Sequence, residues 1–272
     1  MPIPKIIHQI WLQGENNIPD KYLPYIKQLH EYHPSINNQF QLDNSDNWQY
    51  IFWDDIKIIK LLQQNKIWIN TYYKLTYLHQ KVDYARYIIL YLYGGIYIDM
   101  DVIIVKPLDS LLDKLNDYDF VVSKINMGWF ENMIYCGRGT CINNGIIIAK
   151  PKVVILEHII DFVNQHSTCS SLTKFGCINN TTGPKAFTNV IMTHYNDKIK
   201  ILEPEYLEPQ VLGTGNITNN TYAIHKHDGS WLSQWFRQIG AYYMKNKMMI
   251  IIVFLVVILA IIYFIWQKIF HI

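Results

Sequence analysis

Two aspartates one residue apart, Asp99 and Asp101, close the run YGGIYIDMDV at 93–102. The residues before them are apolar or β-prone, so a buried strand is expected to run straight into Asp99. Two carboxylates brought together there cost several kcal/mol unless a cation or hydrogen-bond donors balance them. Side chains two apart on a strand point the same way, so this spacing would aim both at one point. Hard oxygens at the carboxyl edge of a parallel sheet suit a divalent ion that keeps waters and binds phosphate oxygens, Mg²⁺ or Mn²⁺. The same spacing also fits two solvated turn aspartates.

A second pair, Asp83 and Arg86, stands i, i+3 on the preceding helical pattern, off its apolar stripe. It reads either as a surface ion pair or as a pair reaching over the strand ends to hydrogen-bond a polyhydroxylated ligand. Asn143 and Asn144 precede an apolar run; their amides suit sugar hydroxyls, and turn propensity explains them equally.

These residues need elements to hold them. KIIHQIWL (5–12) reads as a first buried strand, and the next segment as a short helix stopping before Pro34. WQYIFW (48–53) is a second strand, and DDIKIIKLLQQN a helix capped by Asp54 or Asp55. HQKVDYARYIILYLYGG (79–95) is a long helix with Val82, Ala85, Ile89 and Leu92 as its stripe, ended by Gly94-Gly95. Further strands are expected at 119–123 and 145–151, then the helix VVILEHIIDFVNQH. Residues 167–230, rich in Asn, Thr, Gly and Pro, read mainly as loops. The alternation argues for an α/β domain with an open, mostly parallel sheet and helices on both faces.

MMIIIVFLVVILAIIYFIW, 248–266, has no charge, Gly or Pro. As a helix it spans roughly 28 Å, close to the ~30 Å hydrocarbon core of a bilayer, and core helices are rarely apolar on every face for so long. A single transmembrane helix is expected. The first residues have no apolar signal-peptide region and six residues follow Trp266, which reads as a tail anchor. Arg237, Lys245 and Lys247 precede the span and Lys268 follows it, so the positive-inside bias puts residues 1–247 in the cytosol. Cys136, Cys141, Cys169 and Cys177 lack zinc-site spacing. They would be free thiols in the cytosol and two loop disulfides in a lumen, and only there would the sequons at Asn179, Asn180, Asn216 and Asn219 be acceptors. A formal net charge of +2 without a basic block speaks against nucleic acid as a partner.

IPKIIHQIW, FWDD, KVDYARYIILYLYGGIYIDMDV, NNGIIIAKP, TGP and HKHDGSW occur in the order seen in glycosyltransferase family 32. Over roughly residues 3–235 the chain resembles that family, which includes fungal α-1,6-mannosyltransferases and inositolphosphoceramide mannosyltransferases, with bacterial glucosylating toxins more distant. The resemblance implies a GT-A fold, a UDP- or GDP-hexose donor, a divalent metal, and transfer to a glycan, lipid or protein hydroxyl with retention. With no dedicated nucleophile carboxylate in view, front-face attack assisted by the leaving phosphate is expected. Asp99 would touch the ribose or donor sugar, with a second option of reaching the metal through a water, and Asp101 would bind the metal. Asp83, Arg86, Asn143 and Asn144 would hold the donor sugar, and Trp11 would stack on the base. The family's two adjacent histidines are here His225 and Lys226, with His227 one place later. His225 is therefore expected as a third protein ligand or a phosphate contact, with His227 the alternate; imidazole beside carboxylates would favour Mn²⁺ over Mg²⁺. Ser230 and Trp231 would contact the diphosphate, and TGP (182–184) would form an acceptor-side turn. The expected organisation is a catalytic domain at 1–236, a basic juxtamembrane segment at 237–247, the membrane helix at 248–266 and a tail at 267–272. Similar proteins occur in giant viruses with AT-rich genomes, which would make the membrane a host's. A membrane-tethered binder of nucleotide sugar or glycan without turnover is the alternative; it would show heat of binding and no free sugar. A D-x-D phosphohydrolase would need more carboxylates around the metal than the sequence offers.

Overall fold

The computed structural model describes residues 2–34, 47–169, 171–228 and 234–270. β1 (Ile6–Ile10) is buried end to end, as its apolar run requires. Its polar members are paired: Trp53 donates to His8 Nδ1 at 3.2 Å, His8 Nε2 meets Gly94 O at 2.9 Å, and Tyr50 donates to Gln9 at 3.0 Å. Burial lowers the His8 pKa to about 4, which leaves a neutral ring able to accept at one nitrogen and donate at the other.

α1 (Leu23–Tyr32) leads to β2 (Gln49–Trp53), then α2 (Asp55–Leu62) and α3 (Lys66–Lys74). Asp54 caps α2, accepting from the Lys57 N–H at 2.8 Å, and Asp55 accepts from Tyr72 at 2.6 Å. α4 (Leu78–Tyr93) is buried from Asp83 through Leu90, so it presents no water-facing side there. It stops at Gly94 and Gly95, with φ of 65° and 92°. A Cβ on Gly95 would stand 2.4 Å from Ile6 O, so glycine lets β3 (Gly95–Ile98) begin hard against β1.

β4 (Val102–Ile104), α5 (Asp109–Lys114), β5 (Phe120–Ser123), α6 (Trp129–Cys136), β6 (Ile146–Ala149) and α7 (Val154–Gln165) follow. The region expected to be mainly loops holds α8 (Lys174–Thr181), α9 (Pro184–Thr193), β7 (Ile199–Leu202), α10 (Pro204–Leu207) and β8 (Ala223–His225), which corrects that expectation. Its polar residues serve the elements instead of interrupting them. Thr173 caps α8 through the Gly176 N–H at 3.0 Å, Pro184 presets the first turn of α9, and Asn179 is buried with its amide on Tyr135 O at 2.7 Å.

The main sheet runs β2-β1-β3-β6-β5-β7 and is mostly parallel, with β6 antiparallel to both neighbours. One face packs against α2, α3, α4, α7 and α9 through residues such as Leu61, Tyr72, Ile88, Leu156 and Phe187. The other packs against α1, α5 and α10 and against a β4–β8 ribbon, through Leu29, Leu111, Leu207, Val102 and Ala223. The cysteines are paired as Cys136–Cys141 and Cys169–Cys177, with Cα atoms 5.6 and 5.2 Å apart.

Among the described residues, 212–214 and 234–270 form a separate unit. Its α11 (Gln234–Phe270) contains Gln238–Gln267, 30 residues long and apolar enough to cross a membrane, with none of its apolar window buried. Residues 237–247 are thus part of the same helix as the apolar run.

Candidate active site

β3 ends at Ile98, so Asp99 and Asp101 lie in the turn between β3 and β4, not on the strand as expected. The Asp99 N–H still donates to Gly145 O at 2.8 Å, and the Val102 N–H closes the turn on Asp99 O at 3.2 Å. Turn geometry, not strand alternation, therefore brings the two carboxylates together. The intervening Met100 is buried against Tyr22 and Phe52, which fixes the turn from below.

The β4–β8 ribbon supplies the third group. Val102 pairs with His225, and the Lys226 N–H donates to Asp101 O at 3.0 Å. That register sets His225 Nε2 3.1 Å from Asp101 Oδ1, while the Asp228 N–H donates to Asp101 Oδ2 at 2.9 Å. Asp99, Asp101 and His225 each offer one ligand atom, all within 4.8 Å of one another. Behind His225 stands Glu208, fully buried and absent from the expected site. Its Oε1 lies 3.0 Å from His225 Nδ1 and accepts from the Asn143 amide. Its Oε2 lies 2.8 Å from His227 Nε2 without the angle of a hydrogen bond. His225 and His227 stack with ring centres 4.1 Å apart.

Charge is finely balanced in this pocket. Burial pushes the Asp99 carboxyl up, with Arg86 partly offsetting it. Burial also acts on Asp101, but the His225 charge and hydrogen bond and the Asp228 N–H outweigh it and hold Asp101 well below the usual carboxylate range. Glu208 follows the same logic, burial being overcome by His225 and His227, to about 2. For His225, burial favours the neutral ring, yet Asp101 and Glu208 raise its pKa well above the ordinary value. A proton on His225 thus supplies the positive charge these carboxylates demand. The O, O, N donor set fits a divalent ion, which would take that place by displacing the proton from Nε2.

Asp83 and Arg86 are buried under the turn, which removes the surface-pair reading. Arg86 grips Asp99 with both Nη atoms, at 3.2 and 3.3 Å, and reaches Asp83 at 3.0 Å and Asn144 O at 2.6 Å. It also lies over the Tyr97 ring at 4.4 Å, and the Tyr97 hydroxyl donates to Asp99 at 2.6 Å. Asp83 accepts from the Asn144 amide at 3.0 Å and the Thr182 hydroxyl at 2.9 Å. TGP is therefore a buried brace: Thr182 holds Asp83, and Pro184 opens α9. Asn143 is tied to Glu208 and lies 2.7 Å from His225 Nδ1. Gly145 makes the close approach possible, since a Cβ there would sit 2.6 Å from His225 Cε1 and 2.9 Å from Asp99 Oδ2.

Trp11 follows β1, half-buried, with its indole N–H on Asn17 O at 2.9 Å and its ring edge-on to Tyr22 at 5.9 Å. It belongs to the Tyr22–Met100 cluster beside the aspartate turn, not to the charged network. Ser230 and Trp231 lie outside the described residues. Glu208 and Tyr97 are the candidate-site residues that sequence reasoning missed, and Thr182 was singled out only as part of an acceptor-side turn. A lone Glu in a Pro-rich stretch gives no signal, whereas Thr182 sat within a motif already singled out.

Residues 19–131 match the family described as a glycosyltransferase sugar-binding region containing a DXD motif. Over 113 residues the chain is 38% identical to inositol phosphoceramide mannosyltransferase 1 of Schizosaccharomyces pombe, covering 41% of this chain and 32% of that protein. It thus spans about a third of that relative's length. Over 263 residues, 92% of each chain, it is 28% identical to an "Uncharacterized glycosyltransferase" of Acanthamoeba polyphaga mimivirus. The ligand-free glycosyltransferase domain from the YGT toxin shares the GT-A fold, with TM-score 0.50 and 8% identity over 74% of this chain and 80% of that one. Asp99 and Asp101 fall inside the matched stretch, so residues 19–131 are similar to the sugar-binding region of the DXD-containing glycosyltransferases.

Proposed function

We propose that the chain moves a hexose from a UDP- or GDP-sugar to an acceptor hydroxyl, with retention, using Mn²⁺ in preference to Mg²⁺ while anchored by α11. The observation that carries this reading is the meeting of Asp99, Asp101 and His225 at one point, in a pocket that demands positive charge. Asp101 and His225 would hold the ion. Asp99, whose oxygens are already engaged by Arg86 and Tyr97, would reach it through water. When bound, the ion stabilises the negative charge that develops on the departing diphosphate.

The surrounding residues position the donor. Arg86 Nε is buried without a hydrogen-bond partner, which leaves a donor for a sugar oxygen. Asp83, with Asn144 and Thr182, fixes the guanidinium that carries it. Asn143 orients His225, and His227 is the alternate ligand. Trp11 offers its ring to the base, and Ser230 and Trp231 would meet the diphosphate. The names of the fungal relatives support mannose as the hexose and a membrane lipid as the acceptor, ahead of a glycan or protein. Donor hydrolysis measured across nucleotide sugars with Mn²⁺ tests the proposal. One sugar should be released, and Asp101→Asn should abolish its release while the protein melts as before; unchanged turnover in that variant refutes the reading.

For orientation, the flanking charges favour a cytosolic domain, on a host membrane if the chain is viral. The two cysteine pairs favour the opposite, lumenal orientation. Maleimide labelling of denatured, unreduced protein from intact membranes separates the two. Four reactive thiols mean cytosolic, and none means lumenal.

A further inference from the structure

α6 is built inside out for a helix in contact with water. Its two buried residues, Asn132 and Cys136, lie one turn apart. The Asn132 amide is spent on Met127 O and Gly139 O, both at 3.2 Å. Its outer side carries Trp129, Phe130, Met133 and Ile134, with 67, 61, 39 and 71% of their surfaces exposed. At i, i+1, i+4 and i+5 these four share one face, the reverse of the polar-out pattern of a soluble helix. The helix is firmly held. Cys136 is cross-linked to Cys141, the Tyr135 carbonyl takes the Asn179 amide at 2.7 Å, and Tyr135 packs on Phe175 with ring centres 5.6 Å apart.

Charge around this face is arranged to one end. Glu131, the acid of the helix, is turned back onto Gly128 at the N-terminus. Arg138, exposed and anchored to Asn189 at 2.7 Å, follows the C-terminal cap, and Lys185 lies beside Gly137. Four side chains are too few for a stable protein–protein contact, which needs about 800 Å² from each partner. Aromatic and aliphatic tips edged by cations match the headgroup–acyl boundary of a bilayer instead. The chain brings its own bilayer through Gln238–Gln267, and a tethered second contact needs little intrinsic affinity.

We propose that the outer face of α6 seats in the interfacial layer of the phospholipid bilayer that α11 crosses; this rests on reading α11 as the anchor. The consequence reaches the active site. The excursion carrying α6 is pinned at both ends by the Lys124–Ile142 bridge and the Ile125 N–H to Cys141 O bond at 2.8 Å, and Asn143 follows directly. Docking would therefore hold one rim of the site against lipid headgroups.

The test uses the full chain in nanodiscs of phosphatidylcholine and phosphatidylserine, with and without dibrominated phosphatidylcholine as a fluorescence quencher. Comparison with Trp129→Phe isolates Trp129, and comparison with Trp266→Phe isolates the anchor. Emission from Trp129 should fall by about half, as expected for an indole ~5–10 Å deep in the boundary. Phe130→Glu combined with Ile134→Glu should abolish that quenching and leave Trp266 quenched. An unquenched Trp129 beside a quenched Trp266 overturns the docking alone. Both unquenched overturns the anchor together with the docking. Cross-linking between copies through α6, with Trp129 unquenched, would assign the face to a second copy and likewise overturn the proposal.

Discussion

Gly145→Ala should damage the metal site without introducing or removing any ligand. Gly145 is not among the glycines with positive φ, so alanine fits its backbone and the effect must come from the added carbon. That carbon would lie 2.6 Å from His225 Cε1, 2.9 Å from Asp99 Oδ2 and 3.0 Å from His225 Nδ1. Ordinary contact begins near 3.4 Å, so the ring must retreat by somewhat under 1 Å. It cannot retreat freely, because Glu208 and Asn143 hold its Nδ1 and the His227 ring is stacked against it. Overpacking of this kind costs about 1–3 kcal/mol. If the strain is relieved by moving His225 off Asp101, Mn²⁺ affinity falls by about 5- to 150-fold. Paramagnetic resonance of free Mn²⁺, titrated with the detergent-solubilised full chain, measures this directly, and a thermal melt reports folding. A folded Gly145→Ala protein that binds Mn²⁺ like the parent would show that His225 is not a ligand and that the pocket is drawn wrongly.

Other perturbations read other parts of the network. Glu208→Ala leaves His225 and His227 without their buried carboxylate, and loss of one partner from a buried ionic group costs about 3–5 kcal/mol. Urea unfolding should show that loss, and a cost near zero would mean the carboxylate is dispensable. Burial holds Asp83 up to about 7, with Arg86 partly opposing it, so the folded chain keeps a proton that the unfolded chain releases near 3.8. Its contribution is therefore most favourable at low pH and declines as pH rises from about 4 through 7, by up to about 4 kcal/mol. Asp83→Asn should remove that slope from the stability-against-pH curve; an identical slope in the variant contradicts the assignment. Trp11→Ala should weaken nucleotide binding by about 5- to 150-fold if the indole stacks on the base, with metal binding retained. Equal nucleotide affinity would leave Trp11 as a packing residue.

The readable part of the chain was the part whose burial follows from local pattern. β1, β2 and β3 are apolar runs, α4 has a stripe and a glycine stop, and the alternation predicted the sheet. Residues 167–230 were unreadable because their Asn and Thr side chains form long-range hydrogen bonds, such as Asn179 to Tyr135 and Thr182 to Asp83, that composition does not reveal. One signal was present: Gly183-Pro184 is a helix start, since proline suits the first turn. Within the candidate site, the D-x-D spacing brings its two carboxylates together, but through a turn where a strand was expected. Glu208 was invisible because its meaning depends on register, with β8 ending on His225 and the chain just after it bringing His227 against the same carboxylate.

The claim that a divalent cation sits between Asp101 and His225 is tested most directly by Mn²⁺ titration of the parent, Asp101→Asn and His225→Ala proteins in the presence of nucleoside diphosphate. The parent should bind one Mn²⁺ that each substitution weakens by tenfold or more, roughly 1.4 kcal/mol. Equal binding by all three, or none by the parent, would contradict the account.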